Sequence, residues 1–184
     1  RIALGLAGEH NVMNALAAAA AAHAAGAGIE AIVDGLTSMR AVTGRLEMRP
    51  AHAGARMIDD SYNANPASLR AGLRALSSVP GRHWLVLGEM RELGAESARL
   101  HAEMGEFARQ TGVARLLAVG DDAHHAVEAF GKGATWFASV DDMIAALRAE
   151  LGPDVTVLVK GSRSNRLERV SAALASAAAA GAGH

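Results

Sequence analysis

The sequence predicts an α/β fold with a mainly parallel sheet and helices on both faces, preceded by a short helical segment. Apolar runs of strand length alternate with helical apolar patterns over most of the 184 residues, as in a parallel sheet with crossover helices. Half of the residues are apolar, which is enough to bury a substantial core. The first two helical patterns have no strand beside them, so they form a separate segment.

That segment is predicted to contain two helices. An alanine-rich run over 10–25 has strong helix propensity and stops at Gly26 and Gly28. Apolar residues at positions 29, 32, 33 and 36 then have the spacing of one helical face. Two short helices cannot form a core alone, so the segment needs a partner surface. Thr43-Gly44-Arg45 is typical of a linker, and we place the domain boundary between 1–44 and 45–184.

The second domain is predicted to alternate strands with helices. Compact apolar runs predict strands at 46–49, 56–59, 84–87, 115–119, 135–137 and 155–159. Helical periodicity predicts helices at 66–77, around 100–108, at 125–130, at 141–151 and around 167–174. Asn65 is suited to cap the first of these helices, with Pro66 at its first position. The helix around 100–108 should bury Leu100, Met104, Phe107 and Ala108. The small-residue tail at 178–184 is predicted to be frayed.

Composition excludes several classes of function. The formal net charge of −1 gives no overall basic surface for nucleic acid. The chain has no cysteine, which excludes disulfides, thiolate metal sites and a cysteine nucleophile. The apolar run at 15–25 is too short and too weakly hydrophobic to span a bilayer. No phosphate-binding loop and no serine-elbow motif occurs, and adjacent His124 and His125 diverge too far on a helix to share a metal ion.

Polar residues follow four of the predicted strands, at 59–63, 88–90, 120–122 and 160–163. Ligands of parallel sheets bind beyond the carboxyl ends of the strands, so these segments should form a binding site along one edge. Lys160 is one of only two lysines in the chain. It and Arg163 are expected to flank a helix start and bind an anion, the alternative being a capped helix with solvated charges. Adjacent Asp59 and Asp60 could bind ribose hydroxyls or a cation, or face solvent.

The polar motifs together, in this order, resemble the Mur ligase family. They are Gly8-Glu9-His10-Asn11-x-x-Asn14-Ala15, Gly44-Arg45, Asp59-Asp60-Ser61-Tyr62-Asn63-Ala64-Asn65-Pro66, Gly88-Glu89-Met90-x-Glu92-Leu93-Gly94 and Lys160-Gly161-Ser162-Arg163-Ser164. The similarity covers almost the whole chain. It is strongest to members that join D-alanyl-D-alanine to UDP-N-acetylmuramoyl-tripeptide. Glu89 departs from the pattern, in which aspartate is usual after the glycine.

The resemblance implies a carboxy-terminal fragment of a three-domain, cytoplasmic, monomeric enzyme of peptidoglycan synthesis. On this interpretation 1–44 are the last helices of the central ATP-binding domain, and 45–184 are the complete Rossmann-like carboxy-terminal domain. The implied reaction is ATP-dependent amide formation through an acyl phosphate. Both ATP and Mg²⁺ would be bound mainly by the absent central domain, so the isolated chain is expected to be inactive. No metal ligand, nucleic-acid partner or membrane partner is expected for this chain.

The resemblance also implies roles for individual residues. Asn11 and Asn14, three apart on one helical face, would contact adenine with His10 beside them. Spacing alone is a weak signal for this, because polar residues are common at helix starts. Arg45 would contact the nucleotide phosphates and Asp60 the ribose. Arg45 and Lys160 would act in catalysis. The D-alanyl-D-alanine side would be lined by Tyr62, Asn63, Asn65, Lys160, Ser162 and Arg163. Lys160 or Arg163 is suited to hold the carboxylate of the dipeptide.

The sequence leaves two alternative functions open. One is a sibling ligase that adds another amino acid or dipeptide. The other is a free-standing α/β domain that binds a ligand or a protein without catalysis.

Overall fold

The computed structural model describes residues 2–4, 9–39 and 43–175, without the side chains of residues 9 and 10. The chain divides into two compact units, residues 1–42 and 43–184. The tail at 178–184, predicted to be frayed, lies outside the described residues. No helix within the described ranges is long and apolar enough to cross a membrane.

The first unit consists of two helices, α1 (Glu9–Ala24) and α2 (Ile29–Ser38), as the sequence predicts. Gly26 has a φ of 89° and ends the alanine-rich helix, because this left-handed conformation costs glycine little. Leu36 is the only buried residue described in α2, whereas Ile29 on the predicted apolar face is exposed. The two helices therefore bury little apolar surface by themselves.

The second unit contains one six-stranded sheet in the order β1-β2-β6-β3-β4-β5. The strands are β1 (Glu47–Pro50), β2 (Arg56–Asp60), β3 (Arg82–Gly88), β4 (Val113–Val119), β5 (Ala134–Phe137) and β6 (Val155–Lys160). The pairs β2–β6, β6–β3, β3–β4 and β4–β5 are parallel. Only β1 is antiparallel, to β2, because the connection at 51–55 is too short for the crossover that a parallel pair needs.

Helices cover both faces of this sheet, so the predicted α/β, Rossmann-like class is confirmed. They are α3 (Pro66–Ser77), α4 (Ser97–Gln110), α5 (Ala123–Phe130), α6 (Val140–Glu150) and α7 (Glu168–Leu174). One apolar cluster joins α3, α4 and α5 to the sheet, and a second joins α6 and α7 to the opposite face. The central strand β6 is buried over its whole length. Its sequence is therefore mostly apolar, with four of its six residues valine or leucine, rather than alternating.

The buried face of α4 differs from the predicted one. His101, Met104, Gly105 and Ala108 are buried, whereas Leu100 and Phe107 are half-buried. The physical reason is close packing against α5, which favours the small Gly105 at the contact. A Cβ atom on that glycine would lie 2.1 Å from the carbonyl oxygen of Ala126.

Candidate active-site edge

Four polar segments in the second unit meet at one edge of the sheet. Strands β2, β6, β3 and β4 are neighbours and parallel, so their carboxyl ends lie on the same side. The segments that follow these ends are the four that the sequence singled out. Their predicted convergence is therefore confirmed.

Lys160 connects the end of β6 to the end of β2. Its Nζ atom lies 2.5 Å from Asp60 Oδ2 and donates to the backbone carbonyl of Asn63 at 3.0 Å. The lysine side chain is 2% exposed and that of Asp60 is 13% exposed. The ammonium is thus buried and already paired. In this structure it neutralises Asp60 and fixes the turn after β2. That Lys160 also holds an anion or a substrate carboxylate stays a prediction.

The two aspartates at the end of β2 organise the backbone around them. Asp59 is buried; its Oδ1 accepts from the backbone N–H of Ser61 at 3.2 Å, and its Oδ2 lies 4.0 Å from Arg49 Nη1. The Oδ1 atom of Asp60 accepts from the backbone N–H of Leu46 at 3.2 Å. Neither carboxylate simply faces solvent. Asp60 keeps limited exposure, so a ribose hydroxyl would have to approach an already bonded carboxylate.

The segment before β1 packs against the same strand end. The backbone N–H of Tyr62 donates to the carbonyl of Gly44 at 3.0 Å. Gly44 has a φ of 76°, and a Cβ atom there would lie 3.3 Å from both Ser61 Oγ and Tyr62 N. Glycine therefore permits this approach, which places the guanidinium of Arg45 over the ring of Tyr62, 4.5 Å from its centroid.

A cleft of about 480 Å³ lies beyond the ends of β2, β3 and β6. It is lined by Tyr62, Asn63, Ala64, Asn65, Arg91, Glu92, Leu93, Ser162, Arg163 and Ser164. Five residues predicted to contact the dipeptide are thus brought together: Tyr62, Asn63, Asn65, Ser162 and Arg163. The sixth, Lys160, is not among the lining residues, but its Nζ atom donates to the carbonyl of Asn63, which is.

Positive charge in this cleft comes from two arginines. Arg91 lies 3.4 Å from Glu89 Oε2, so its charge is partly balanced. Arg163 is exposed, lies 5.8 Å from the centroid of the Tyr62 ring, and has no ion-pair partner in the part of the chain that the structure describes. Arginine forms paired hydrogen bonds to carboxylates. Arg163 is therefore the side chain best placed to receive an anionic group of a ligand.

The segments after β3 and β6 hold each other in place. The carbonyl of Glu89 accepts from the backbone N–H of Ser162 at 3.2 Å and from Asn165 Nδ2 at 2.7 Å. The backbone N–H of Arg91 donates to Ser162 Oγ at 2.8 Å. Asn165 also packs on Gly88, where a Cβ atom would lie 2.8 Å from its Cγ atom. These contacts fix the two walls of the cleft relative to each other.

The segment after β6 does not open an α-helix at once, contrary to the sequence-based expectation. A short 3-10 turn spans Arg163–Asn165, and α7 begins only at Glu168. Arg166 separates them with a φ of 54°, a left-handed conformation that interrupts the helix. The expected helix start directly after β6 is therefore wrong, whereas anion binding by this segment stays a prediction.

Asn65 caps α3, as predicted. Its side chain accepts from the backbone N–H of Ser68 at 2.8 Å, the Ser68 hydroxyl accepts from the Asn65 backbone at 3.1 Å, and Pro66 occupies the first turn. Because the Oδ1 atom of Asn65 is used in the cap, its amide NH₂ is the group that remains to donate into the cleft. The cap also sets the direction in which the chain leaves the cleft.

Two residues of this edge were not predicted from the sequence. Asn165 directly follows the Lys160–Ser164 motif, and this adjacency was the available signal. His101 lies 11 residues after Met90, and its Nε2 atom accepts a hydrogen bond from the backbone N–H of Met90. Its signal was the spacing from Met104, Gly105 and Ala108, which marks a histidine on the buried side of a helix.

The end of β4 is more distant from the cleft lining. Asp122 accepts from Ser97 Oγ at 2.5 Å, and the carbonyl of Gly120 accepts from Trp136 Nε1 at 2.9 Å. The His124 ring stacks on Trp136 with 4.4 Å between centroids. Across the described residues, no group of three or more His, Cys, Asp or Glu side chains is placed to hold a metal ion.

The residues expected to contact adenine lie in the first unit. Asn11 and Asn14 are both in α1, with Asn11 half-buried and Asn14 exposed. His10 is also in α1, and its side chain lies outside the described part of the structure. The cleft of the second unit is formed without these three residues.

Comparison with known proteins finds relatives that match the second unit. Residues 44–163 match the family model described as Mur ligase, glutamate ligase domain. The chain is 42% identical over 175 residues to the UDP-N-acetylmuramoyl-tripeptide–D-alanyl-D-alanine ligase of Escherichia coli, covering 94% of this chain and 38% of that protein. It is 39% identical over 199 residues to the ligase of the same name from Mycobacterium tuberculosis, covering 94% and 39%. The chain thus spans less than two fifths of the length of these relatives.

Solved structures show the same relationship. A crystal structure of MurF from Acinetobacter baumannii superimposes with a TM-score of 0.82 at 34% identity, covering 93% of this chain and 39% of that one. MurF ligase from Thermotoga maritima in complex with ADP superimposes with a TM-score of 0.78 at 25% identity, covering 91% and 38%. From the family match, the shared fold and the motifs at its strand ends, we conclude that the chain belongs to the Mur ligase family.

Proposed function

We propose that this chain is the carboxy-terminal part of an ATP-dependent ligase that joins D-alanyl-D-alanine to UDP-N-acetylmuramoyl-tripeptide in peptidoglycan precursor synthesis. The observation that carries the proposal is the cleft, in which the ends of β2 and β6 present Tyr62, Asn63 and Arg163 to one volume. The identity of 42% to a ligase of that name supports the choice of substrate. The intact enzyme is proposed to be a cytoplasmic monomer.

The two units are proposed to be unequal parts of that enzyme. Residues 1–44 would be the last helices of the central ATP-binding domain, and residues 45–184 the carboxy-terminal domain. The division into compact units between residues 42 and 43 supports this assignment. So does the exposure of Val12, Met13 and Leu16 on α1, because large apolar side chains on a helix usually pack against further structure.

Arg163 is proposed to hold the carboxylate of D-alanyl-D-alanine. Its guanidinium is exposed at the cleft and lies 5.8 Å from the centroid of the Tyr62 ring. The NH₂ groups of Asn63 and Asn65 would orient the peptide group of the dipeptide. Lys160 would act indirectly, by neutralising Asp60 and holding the carbonyl of Asn63. The free amine of the dipeptide would then face the activated tripeptide.

ATP would supply the phosphoryl group that activates the tripeptide carboxylate as an acyl phosphate. The complex of the Thermotoga maritima protein with ADP supports a nucleotide site in the family. In this chain Arg45 fits a phosphate, because its guanidinium is exposed and offers donors in a planar fork. Asp60 would meet the ribose, while His10, Asn11 and Asn14 would lie beside adenine. Mg²⁺ would be held mainly by the central domain.

The role of this chain in the reaction is then positioning rather than chemistry. Phosphoryl transfer depends chiefly on orientation and charge neutralisation, to which Arg45 would contribute a cation. Holding the amine nucleophile in a fixed cleft makes its attack effectively intramolecular. The apolar Ala64 and Leu93 would exclude water that could otherwise hydrolyse the activated carboxylate.

A binding experiment on the chain tests the substrate. We expect D-alanyl-D-alanine to bind in isothermal titration calorimetry and to shift the amide resonances of Tyr62 and Asn63, whereas L-lysine and diaminopimelate do not. The change Arg163→Ala should weaken binding by roughly ten- to a hundredfold, since a hydrogen bond to a charged group contributes about 1.5–3 kcal/mol. Arg74→Ala, an exposed arginine of α3 outside the cleft, is the matched control.

Other outcomes of this experiment distinguish the proposed ligase from the two alternative functions. Binding of L-lysine or diaminopimelate instead of the dipeptide would indicate a sibling ligase. Absence of binding by all three, in a chain that folds, would favour a non-catalytic interaction domain.

The chain alone should show no turnover with ATP and both substrates, and measurable ADP release would contradict its assignment as a partial enzyme.

A further inference from the structure

His101 is a fully buried histidine for which the proposed reaction has no direct use. It lies in α4, and its imidazole contacts two backbone groups. Nε2 accepts from the backbone N–H of Met90 at 2.9 Å, and Nδ1 lies 2.8 Å from the carbonyl oxygen of Ser97. Met90 belongs to the segment after β3, so the ring connects α4 to one wall of the cleft.

The two contacts define one protonation state of the ring. A backbone N–H can only donate, so the Nε2 atom facing Met90 must carry a lone pair. A carbonyl oxygen can only accept, so Nδ1 must carry the hydrogen that it donates to Ser97. Only the neutral, Nδ1-protonated tautomer satisfies both partners. An imidazolium would direct a second N–H at the Met90 amide and leave two buried donors facing each other.

The same network reaches the end of β4. Ser97 Oγ lies 3.3 Å from His101 Nδ1 and donates to Asp122 Oδ2 at 2.5 Å. His101 is therefore held from one side by groups that belong to α4 and to the end of β4. This fixes the ring plane, and with it the direction of the Nε2 lone pair towards Met90.

The segment that His101 holds is conformationally demanding. Glu92 has a φ of 66°, a left-handed conformation that is strained for a residue with a side chain. Two consecutive amides just before it are bonded to side chains, Met90 N–H to His101 and Arg91 N–H to Ser162 Oγ. Arg91, Glu92 and Leu93 follow directly and line the cleft. The strained turn therefore depends on anchors outside itself.

We propose that His101 is a positioning residue: by accepting a hydrogen bond from the Met90 backbone N–H, it fixes the Glu89–Leu93 segment as a wall of the cleft. Its effect on a ligand rests on the proposed function, because it acts through Arg91, Glu92 and Leu93. The hydrogen bond itself does not depend on which ligand the cleft takes.

Nuclear magnetic resonance of the unmodified chain tests the hydrogen bond without a mutation. Nitrogen-15 spectra of the histidine rings at neutral pH should show His101 as the Nδ1-protonated tautomer, with a scalar coupling between the Met90 amide and Nε2. The Met90 amide should exchange with solvent as slowly as amides of β3. A ring protonated on Nε2, or a Met90 amide that exchanges like those of exposed turns, would overturn the proposal.

Two variants then test the positioning role. His101→Phe removes the acceptor and keeps a ring, so exchange at Met90 and Arg91 should accelerate by roughly two- to tenfold, the loss expected for one hydrogen bond. His101→Gln offers a carbonyl acceptor at similar reach and should restore part of the protection. His125→Phe, a half-buried histidine of α5 outside this network, is the control. Equal exchange in all three variants would refute the role.

Ligand binding completes the test. The Phe variant should bind D-alanyl-D-alanine roughly two- to tenfold more weakly, and the Gln variant should recover part of the affinity. If the unmodified chain does not bind the dipeptide, the proposed function fails while the exchange data still decide the role of His101. If it binds the dipeptide and His101→Phe changes neither exchange nor affinity, the positioning role fails and the proposed function stands.

Discussion

Replacing Lys160 by methionine removes the buried cation that joins β6 to β2. The change keeps the aliphatic stem and most of the volume, so it isolates the charge and its hydrogen bonds. Asp60 would lose the ammonium at 2.5 Å, and the carbonyl of Asn63 would lose its donor at 3.0 Å. We expect a large loss of stability together with a disordered turn at the cleft.

The magnitude follows from the burial of the pair. Removing one partner of a buried ion pair costs about 3–5 kcal/mol, because the other charge stays buried without compensation. Asp60 retains 13% exposure, and some solvent can reach it, so we expect the lower end of that range, about 3 kcal/mol. For a domain of this size each kcal/mol lowers the melting temperature by about 2–4 °C, which gives a shift of roughly 6–12 °C.

Urea denaturation followed by circular dichroism measures the free energy of unfolding. Lys132→Met is the matched control, since Lys132 is the other lysine of the chain, is exposed, and should change stability by no more than about 0.5 kcal/mol. The double change Lys160→Met with Asp60→Asn should be more stable than Lys160→Met alone, because no charge is left unpaired. If the free energy of unfolding of the Lys160→Met protein lies within about 1 kcal/mol of that of the unmodified chain, the buried ion pair does not have the expected effect.

Three further changes test packing, capping and the aromatic contact. Gly105→Ala should destabilise the chain by about 3 kcal/mol in urea denaturation, because its Cβ would lie 2.1 Å from the carbonyl of Ala126, whereas Gly35→Ala, with no atom within 4 Å, should not. Asn65→Ala should cost about 1 kcal/mol of unfolding free energy and Asn65→Asp much less, since aspartate also caps helices. Tyr62→Leu should weaken dipeptide binding in calorimetry by roughly two- to fivefold and Tyr62→Phe should not, because the arginines contact the ring.

Each of these three has a clear contrary result. Equal stability of the two glycine variants would show that the helices α4 and α5 can separate at no cost. Equal stability of the Asn65→Ala and Asn65→Asp variants would show that the cap contributes nothing. Loss of affinity in the Tyr62→Phe variant would assign the contribution to the hydroxyl group rather than to the ring.

The order and type of elements followed from local sequence alone. Strand β6 is mostly apolar because both faces of a central parallel strand are buried. Helix α3 starts at Asn65-Pro66 because capping involves only near neighbours. The convergence of the four polar segments also followed, because parallel strands place their carboxyl ends on one side. These inferences need only the periodicity of apolar residues, local capping and the common direction of parallel strands.

The contacts that decide what each polar residue does were set by tertiary structure. Lys160 and Asp60 are separated by 100 positions in the sequence, and no local pattern distinguishes a buried, paired lysine from an exposed one that binds ligands. The same holds for His101, whose partner Met90 lies on another element. The 3-10 turn after β6 depends on Ser162 and Asn165 bonding to the segment after β3.

The sequence by itself determined the fold class, the boundaries of most elements, the family and the edge of the sheet where a ligand would bind. Only the tertiary structure decided that Lys160 supports the cleft from behind, that Arg163 faces it, and that His101 holds one of its walls. The physical reason is that secondary structure and capping depend on residues within a few positions, whereas burial and ion pairing depend on which distant segments share a volume.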